Sequence, residues 1–158
     1  MKSRIDYKTT APEGVKAMWG LENYVRHCGL EHSLLELVKT RASQINGCAF
    51  CLDMHTKDAR AQGETEQRLY TLPAWHETPF FTDRERAALA WTEAVTRIAD
   101  THVPDDGYEV ARKHFSEKEL VDLTLAIVAI NGWNRLAISF RAEAGTYQRP
   151  EHESYAEK

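Results

Sequence analysis

Ser116–Phe140, SEKELVDLTLAIVAINGWNRLAISF, is the stretch that decides the fold class. Ser116 followed three residues later by Glu119 is a capping-box signature, which satisfies the first unpaired backbone N–H groups and opens a helix. Behind it Leu120, Leu123, Ile127, Ile130, Trp133, Leu136 and Phe140 return at helical spacing, and other apolar residues fill most of the remaining circumference. The spacing predicts a helix over about residues 117–144. A helix apolar nearly all round is covered by a core or by a neighbouring subunit. One buried central helix plus an oligomer contact meets both demands in a chain of this size. The apolar run inside it, Leu123–Ile130, is too short to cross a bilayer.

Working outward, Thr82-Asp83-Arg84-Glu85 is a second capping box, opening a helix to about Asp100 with Ala87, Leu89, Ala90, Trp91, Ala94, Val95 and Ile98 along it. Asp106–Phe115 reads as a short helix between the two. Upstream, Pro12 to about Cys28 suits a helix with proline in its first turn and Gly29 at its end. Glu31–Asn46 carries Leu35, Val38, Ala42 and Ile45 at helical period and stops at Asn46-Gly47. Cys48–Gln62 follows, closed by Gly63, and Thr65–Leu72 is a short helix ended by Pro73. No run shows the period-two alternation of a strand. The expectation is an all-α, single-domain protein over 1–158, with its core at about 15–145 and a polar tail, 149–158, loose or wrapped onto a neighbour.

Composition narrows the function. The 158 residues carry a net charge of −4 with Lys and Arg interleaved among Asp and Glu, so no basic stripe exists for nucleic acid. Met1–Tyr7 lacks the apolar segment of a secretory signal, and the chain reads as cytoplasmic, with no membrane span. Three cysteines, Cys28, Cys48 and Cys51, are too few for a disulfide scaffold. In a reducing compartment a close pair is catalytic or metal-binding.

Cys48-x-x-Cys51-x-x-x-His55 is that pair with a histidine added. On a helix the three positions fall within about 60° of arc and share one pocket. Cys48 follows the Asn-Gly break, so it sits in a first turn, where backbone N–H groups favour a thiolate. Glu36 is a lone carboxylate among Leu34, Leu35, Leu37 and Val38, and a buried carboxylate needs a partner. His55, on the next helix across a tight turn, is the natural one, held in one tautomer as a base is held by its orienter. Other readings stand beside this. Cys48 and Cys51 can be two packed thiols, Glu36 a solvated acid and His55 a surface residue. Cys48, Cys51, His55 and Glu36 also make four possible zinc ligands, although no second close ligand pair accompanies them. Cys28 reads as a small packed residue and His27 and His32 as loop histidines, while Asn131 and Asn134 are placed to serve the pocket.

Glu36, the eleven-residue gap, Cys48-Ala49-Phe50-Cys51 and His55 together resemble the alkylhydroperoxidase AhpD family, within the carboxymuconolactone decarboxylase-like superfamily. The text from Glu36 to Cys48, Asp53-Met54-His55 and Trp133-Asn134-Arg135-Leu136 looks like that family's core, and the likeness covers roughly residues 15–145. It implies a helical bundle assembling as homotrimers or hexamers, and reduction of hydroperoxides without cofactor or metal. Cys51 then matches the peroxide-attacking cysteine, Cys48 the resolving one, and Glu36 with His55 the proton relay. An external dithiol, such as a lipoyl-bearing protein, would reset the pair. One position departs: the best-described members carry histidine immediately before the second cysteine, where this chain has Phe50. The alternatives are a non-redox oligomer whose cluster binds a metal or is relict, and a decarboxylase-type enzyme, a branch that works without the thiol pair.

Overall fold

The computed structural model of the protein describes residues 2–149, and all regular structure in that span is helical. A short N-terminal turn, α1 (Tyr7–Thr10), leads into α2 (Pro12–Arg26), α3 (His32–Asn46) and α4 (Ala49–Ala61). α5 (Glu66–Thr71) runs on into a 3-10 turn, Leu72–Glu77. The chain continues through α6 (Asp83–Thr96), α7 (Ile98–Thr101), α8 (Asp105–His114) and α9 (Glu117–Phe140).

The two capping boxes form as their residues require. The Ser116 hydroxyl accepts from Glu119 N–H while the Glu119 carboxylate accepts from Ser116 N–H, and Thr82 and Glu85 do the same at α6. Arg84 then ties these two helix starts together, reaching Glu119 at 2.7 Å and Glu31, just before α3, at 2.9 Å.

α3 is the middle of the molecule, packed by α4 on one side, α6 on another and α9 along its length. The main core joins Val25 of α2, Leu34, Leu35 and Val38 of α3, Ala88 and Trp91 of α6 and Leu123, Ala126 and Ile127 of α9. A second cluster packs Leu37 against Leu72, Trp75, Phe81 and Leu89. The third contains the cysteines themselves: Cys48 and Cys51 with Ala42, Ile130 and Ala137. Where α2 packs on α9 the Met18 side chain lies over Gly132, where a β-carbon would stand 2.7 Å from its methyl.

Four boundaries differ from the sequence reading. α5 ends at Thr71, ahead of Pro73 as expected, but the chain winds on, with Pro73 at an early position of a 3-10 turn, where its missing N–H costs nothing. α6 breaks at Arg97 rather than running to Asp100, and the Thr101 hydroxyl takes the freed Ala94 carbonyl at 2.6 Å. α9 ends at Phe140 because Arg141 turns into the left-handed region at φ 56°. α1 has no apolar periodicity to announce it; Asp6 caps it by accepting from Lys8 N–H at 3.0 Å.

α9 is long and apolar enough to cross a membrane by length and composition, which the short run Leu123–Ile130 did not suggest. Its inner face is core, while Val121 and Val128 remain exposed on the other side. Of the polar tail, only Arg149 lies among the described residues.

Candidate active site

The turn between α3 and α4 assembles the site. Gly47 adopts φ 68°, a left-handed conformation that glycine reaches without a β-carbon penalty, and Cys48 N–H bonds back to the Ser43 carbonyl at 3.0 Å. The chain reverses, α4 lies along α3, and the middle of each helix faces the other. Glu36 and His55 meet there. Glu36 Oε2 is 2.8 Å from His55 Nδ1, and both residues are only 6% exposed, so neither is the solvated surface group its polar neighbours allowed. Because a carboxylate only accepts, Nδ1 carries the proton and Nε2 is left as the proton-accepting atom. Burial opposes the Glu36 charge, but the His55 charge and hydrogen bond, with Lys39 and Arg26, outweigh it and hold the carboxyl below its usual range.

Cys48 is the residue at the helix cap and Cys51 lies one turn in; both are 1% exposed and neither is in a disulfide. They do not ionise alike. The Cys51 thiol donates toward the Cys48 sulfur, which works against burial; the Cys51 backbone N–H and the Asn134 side chain add to it, and Cys48 is lowered to about 7. Cys51, as the donor of that contact and desolvated beside a thiolate, is pushed up. The pair therefore gives up one proton near neutrality and keeps the other.

Asn134 has no exposed surface and belongs to a fixed amide network. Its oxygen accepts from Asn46 at 2.8 Å, its nitrogen donates to Ser43 Oγ at 3.1 Å, and Asn46 also donates to Asn131 at 2.9 Å. Of the two asparagines flagged in the sequence, Asn134 thus reaches the thiols from α9, and Asn131 joins it only through Asn46. Cys28 packs against the main core as expected, away from the pair.

A cavity of about 320 Å³ opens onto Cys51, His55, Glu36 and Lys39. Tyr7, Trp19, Phe50, Trp133 and Tyr147 give it aromatic walls. Phe50 thus takes part in shaping the entrance. A second cavity, on the other side of Phe50 and Ala137, is lined by Cys48 and Arg141.

Three site residues escaped the sequence reading. Lys39 and Glu22 form a buried ion pair, 2.5 Å between Nζ and Oε1, at the cavity wall. The signal for Lys39 was present, since it lies one turn from Glu36 in the same apolar run; nothing in the text around Glu22 marks it. Asp58 is the third. Burial raises its carboxyl, the hydrogen bond from Tyr147 opposes this, and its oxygen, a Glu36 oxygen and a His55 nitrogen lie within 4.8 Å of one another. The cysteine sulfurs do not join that group, so the four-ligand zinc set is not assembled among the described residues.

The Carboxymuconolactone decarboxylase family model matches residues 12–94. The uncharacterized protein YdfG of Bacillus subtilis (strain 168) is 47% identical over 146 residues, 92% of this chain and 99% of that protein. A crystal structure of a protein of unknown function from Agrobacterium tumefaciens, named as a candidate AhpD antioxidant-defence protein, is 51% identical with a TM-score of 0.89, covering 92% of this chain and all of that one (100%). At 18% identity, an uncharacterized peroxidase-related protein with an alkylhydroperoxidase AhpD core from Ralstonia eutropha JMP134 shares the fold, with a TM-score of 0.77 over 88% of this chain and 74% of its own. With a family match over half its length and a near-full-length relative of the same size, the chain belongs to the carboxymuconolactone decarboxylase family, in its AhpD-like branch.

Proposed function

We propose that the protein is a thiol-dependent peroxidase that reduces hydroperoxides at Cys51 and Cys48, with His55 and Glu36 moving the proton. The observation that carries this reading is one juxtaposition. Cys51, one member of a thiol pair whose first proton leaves at about 7, lines the same cavity as a buried, carboxylate-held histidine.

The chemistry follows from who can hold a proton. Cys51 faces the cavity that His55 also lines, so it is the sulfur a substrate meets there. Its proton passes to His55 Nε2 while Cys48 is in the thiol form, so that the pair carries one thiolate at a time, and Glu36 stabilises the imidazolium that results. The Cys51 thiolate attacks the outer oxygen of R–O–O–H; the S–O bond forms, the O–O bond breaks, and RO⁻ leaves and takes a proton to become the alcohol. Sulfur is oxidised to the sulfenic acid by two electrons and the peroxide is reduced by the same two. The Cys48 thiolate then attacks the Cys51 sulfur, expelling its oxygen as water once protonated, and leaves a disulfide. An external dithiol regenerates the pair by two exchanges, becoming a disulfide itself. A lipoyl-type dithiol is the proposed partner class and the reducing cytoplasm the proposed compartment. The proposed assembly is a homotrimer or a hexamer built from trimers.

Consumption of an organic hydroperoxide with excess dithiol, by the wild type and by Cys51→Ser, tests the reading. Turnover lost in the variant is expected; equal rates would sink the redox proposal. Metal content of protein purified without chelator tests the rival on Glu36, His55 and Asp58: a stoichiometric ion bound there would favour it.

A further inference from the structure

Lys39 sits one turn beyond Glu36 on α3 and is 3% exposed. Lysine is almost never buried to that extent unless a carboxylate holds it, and here Glu22 does, reaching across from α2 at 2.5 Å. The other carboxylate within range, Glu36 Oε1, is at 4.0 Å, too far for a hydrogen bond but near enough to favour the ammonium. An ammonium has three donors. Among the described residues Lys39 makes one hydrogen bond, to Glu22, and its side chain lines the cavity shared with Cys51 and His55. Glu22, the residue that anchors it, lies close enough to Cys51 to act on its charge. Glu22 and Lys39 both line this cavity, and a buried cation held by one carboxylate with two donors to spare is the arrangement that stabilises an oxygen on which negative charge develops.

We propose that Lys39 is a catalytic residue, the donor to the leaving oxygen of the substrate. This rests on the peroxidase reading. As the Cys51 sulfur bonds to the outer oxygen and the O–O bond breaks, charge gathers on the inner oxygen; a Lys39 N–H meets it. The alkoxide then takes the proton that His55 received from Cys51. The balance is Cys51–SH + ROOH → Cys51–SOH + ROH, and Lys39 is unchanged at the end. Glu22 is the positioning residue that keeps the ammonium in place.

The experiment compares kcat/KM across peroxides whose leaving groups differ in basicity, from tert-butyl hydroperoxide, which leaves as a strongly basic alkoxide, to peracetic acid, which leaves as acetate. Lys39→Met is expected to cost about 10²–10³-fold with tert-butyl hydroperoxide, as removal of one oxyanion donor does, and far less with peracetic acid. Lys39→Arg should recover part of the loss. If the single variant fails to fold, Glu22→Gln/Lys39→Met, which leaves no buried charge unpaired, carries the same comparison. In a Cys48→Ser background, alkylation of Cys51 by iodoacetamide, which expels iodide and needs no oxygen donor, is expected to change by no more than about threefold on Lys39→Met. An equal loss on every peroxide, or alkylation falling as far as peroxide turnover, would make Lys39 a structural or thiol-activating residue and overturn the proposal. A wild type that turns over no peroxide would overturn the peroxidase reading itself, a result distinct from a flat leaving-group dependence in an active enzyme.

Discussion

Cys48 and Cys51 are the same side chain, and their surroundings separate them. Cys48 accepts from its partner and from the start of α4, while Cys51 supplies the proton for that contact. Below about pH 7 both are thiols and nucleophilicity is low; above it Cys48 is the thiolate. Cys51→Ala removes the S–H donor, so the midpoint for Cys48 alkylation is expected to rise from about 7 toward the ordinary thiol value of about 8.5. A pH series of iodoacetamide rates measures it, and an unmoved midpoint would show that the helix start and Asn134 hold the thiolate unaided. At this scale the four residues Glu36, Cys48, Cys51 and His55 were legible as candidates from residue type and spacing. The burial of His55 was not, because Asp53, Lys57 and Asp58 around it look like a solvated face. The 2.8 Å contact between two 6% exposed groups is a property of the packed pair.

Elements announced themselves where a local interaction starts or stops them. Ser116 and Thr82 cap α9 and α6 through bonds three residues long, so sequence spacing suffices to find them. Ser116→Ala should remove about 1 kcal/mol and lower the melting temperature by about 2–4 °C, read by thermal unfolding. No change would mean that Arg84, which also holds Glu119, keeps the helix start without the hydroxyl. Glu119 is lowered to about 2 by its bonds to Ser116 and by Arg84. Its contribution is complete above the unfolded carboxyl value of about 4.3 and fades as pH falls toward 2, so the Ser116→Ala difference is expected to shrink in acid. The ends that were missed have no local signal. Arg141 turns left-handed without being glycine, and the Arg97 break is closed by Thr101 from beyond the helix.

For the whole molecule, α9 serves two masters. Its inner residues Leu123, Ile127 and Ile130 are core, and Val121 at 59% and Val128 at 49% exposure are one heptad apart on the outside. Apolar residues recurring on one outer face offer a contact surface for the homo-oligomer proposed above. Val128→Glu is expected to shift the protein to a smaller species in sedimentation velocity while leaving far-UV circular dichroism unchanged. An unaltered sedimentation coefficient would place the subunit contact elsewhere. The same helix brings Asn134 to the thiols and Asn131 to its partner Asn46, so the element that closes the core also completes the site.

The sequence by itself determined the class of fold and singled out the candidate thiol cluster. Cysteine spacing, a first-turn position after Asn46-Gly47 and helical periodicity are local or repeating features, and they carry Cys48, Cys51, His55 and the all-α architecture. Tertiary structure alone decided which charges share the cavity. Glu22 comes from α2, Lys39 and Glu36 from α3 and His55 from α4, and no spacing within one helix can predict contacts across three. The physical reason lies in burial: an ammonium or carboxylate is admitted to the interior only against a partner, and partners are chosen by how helices pack.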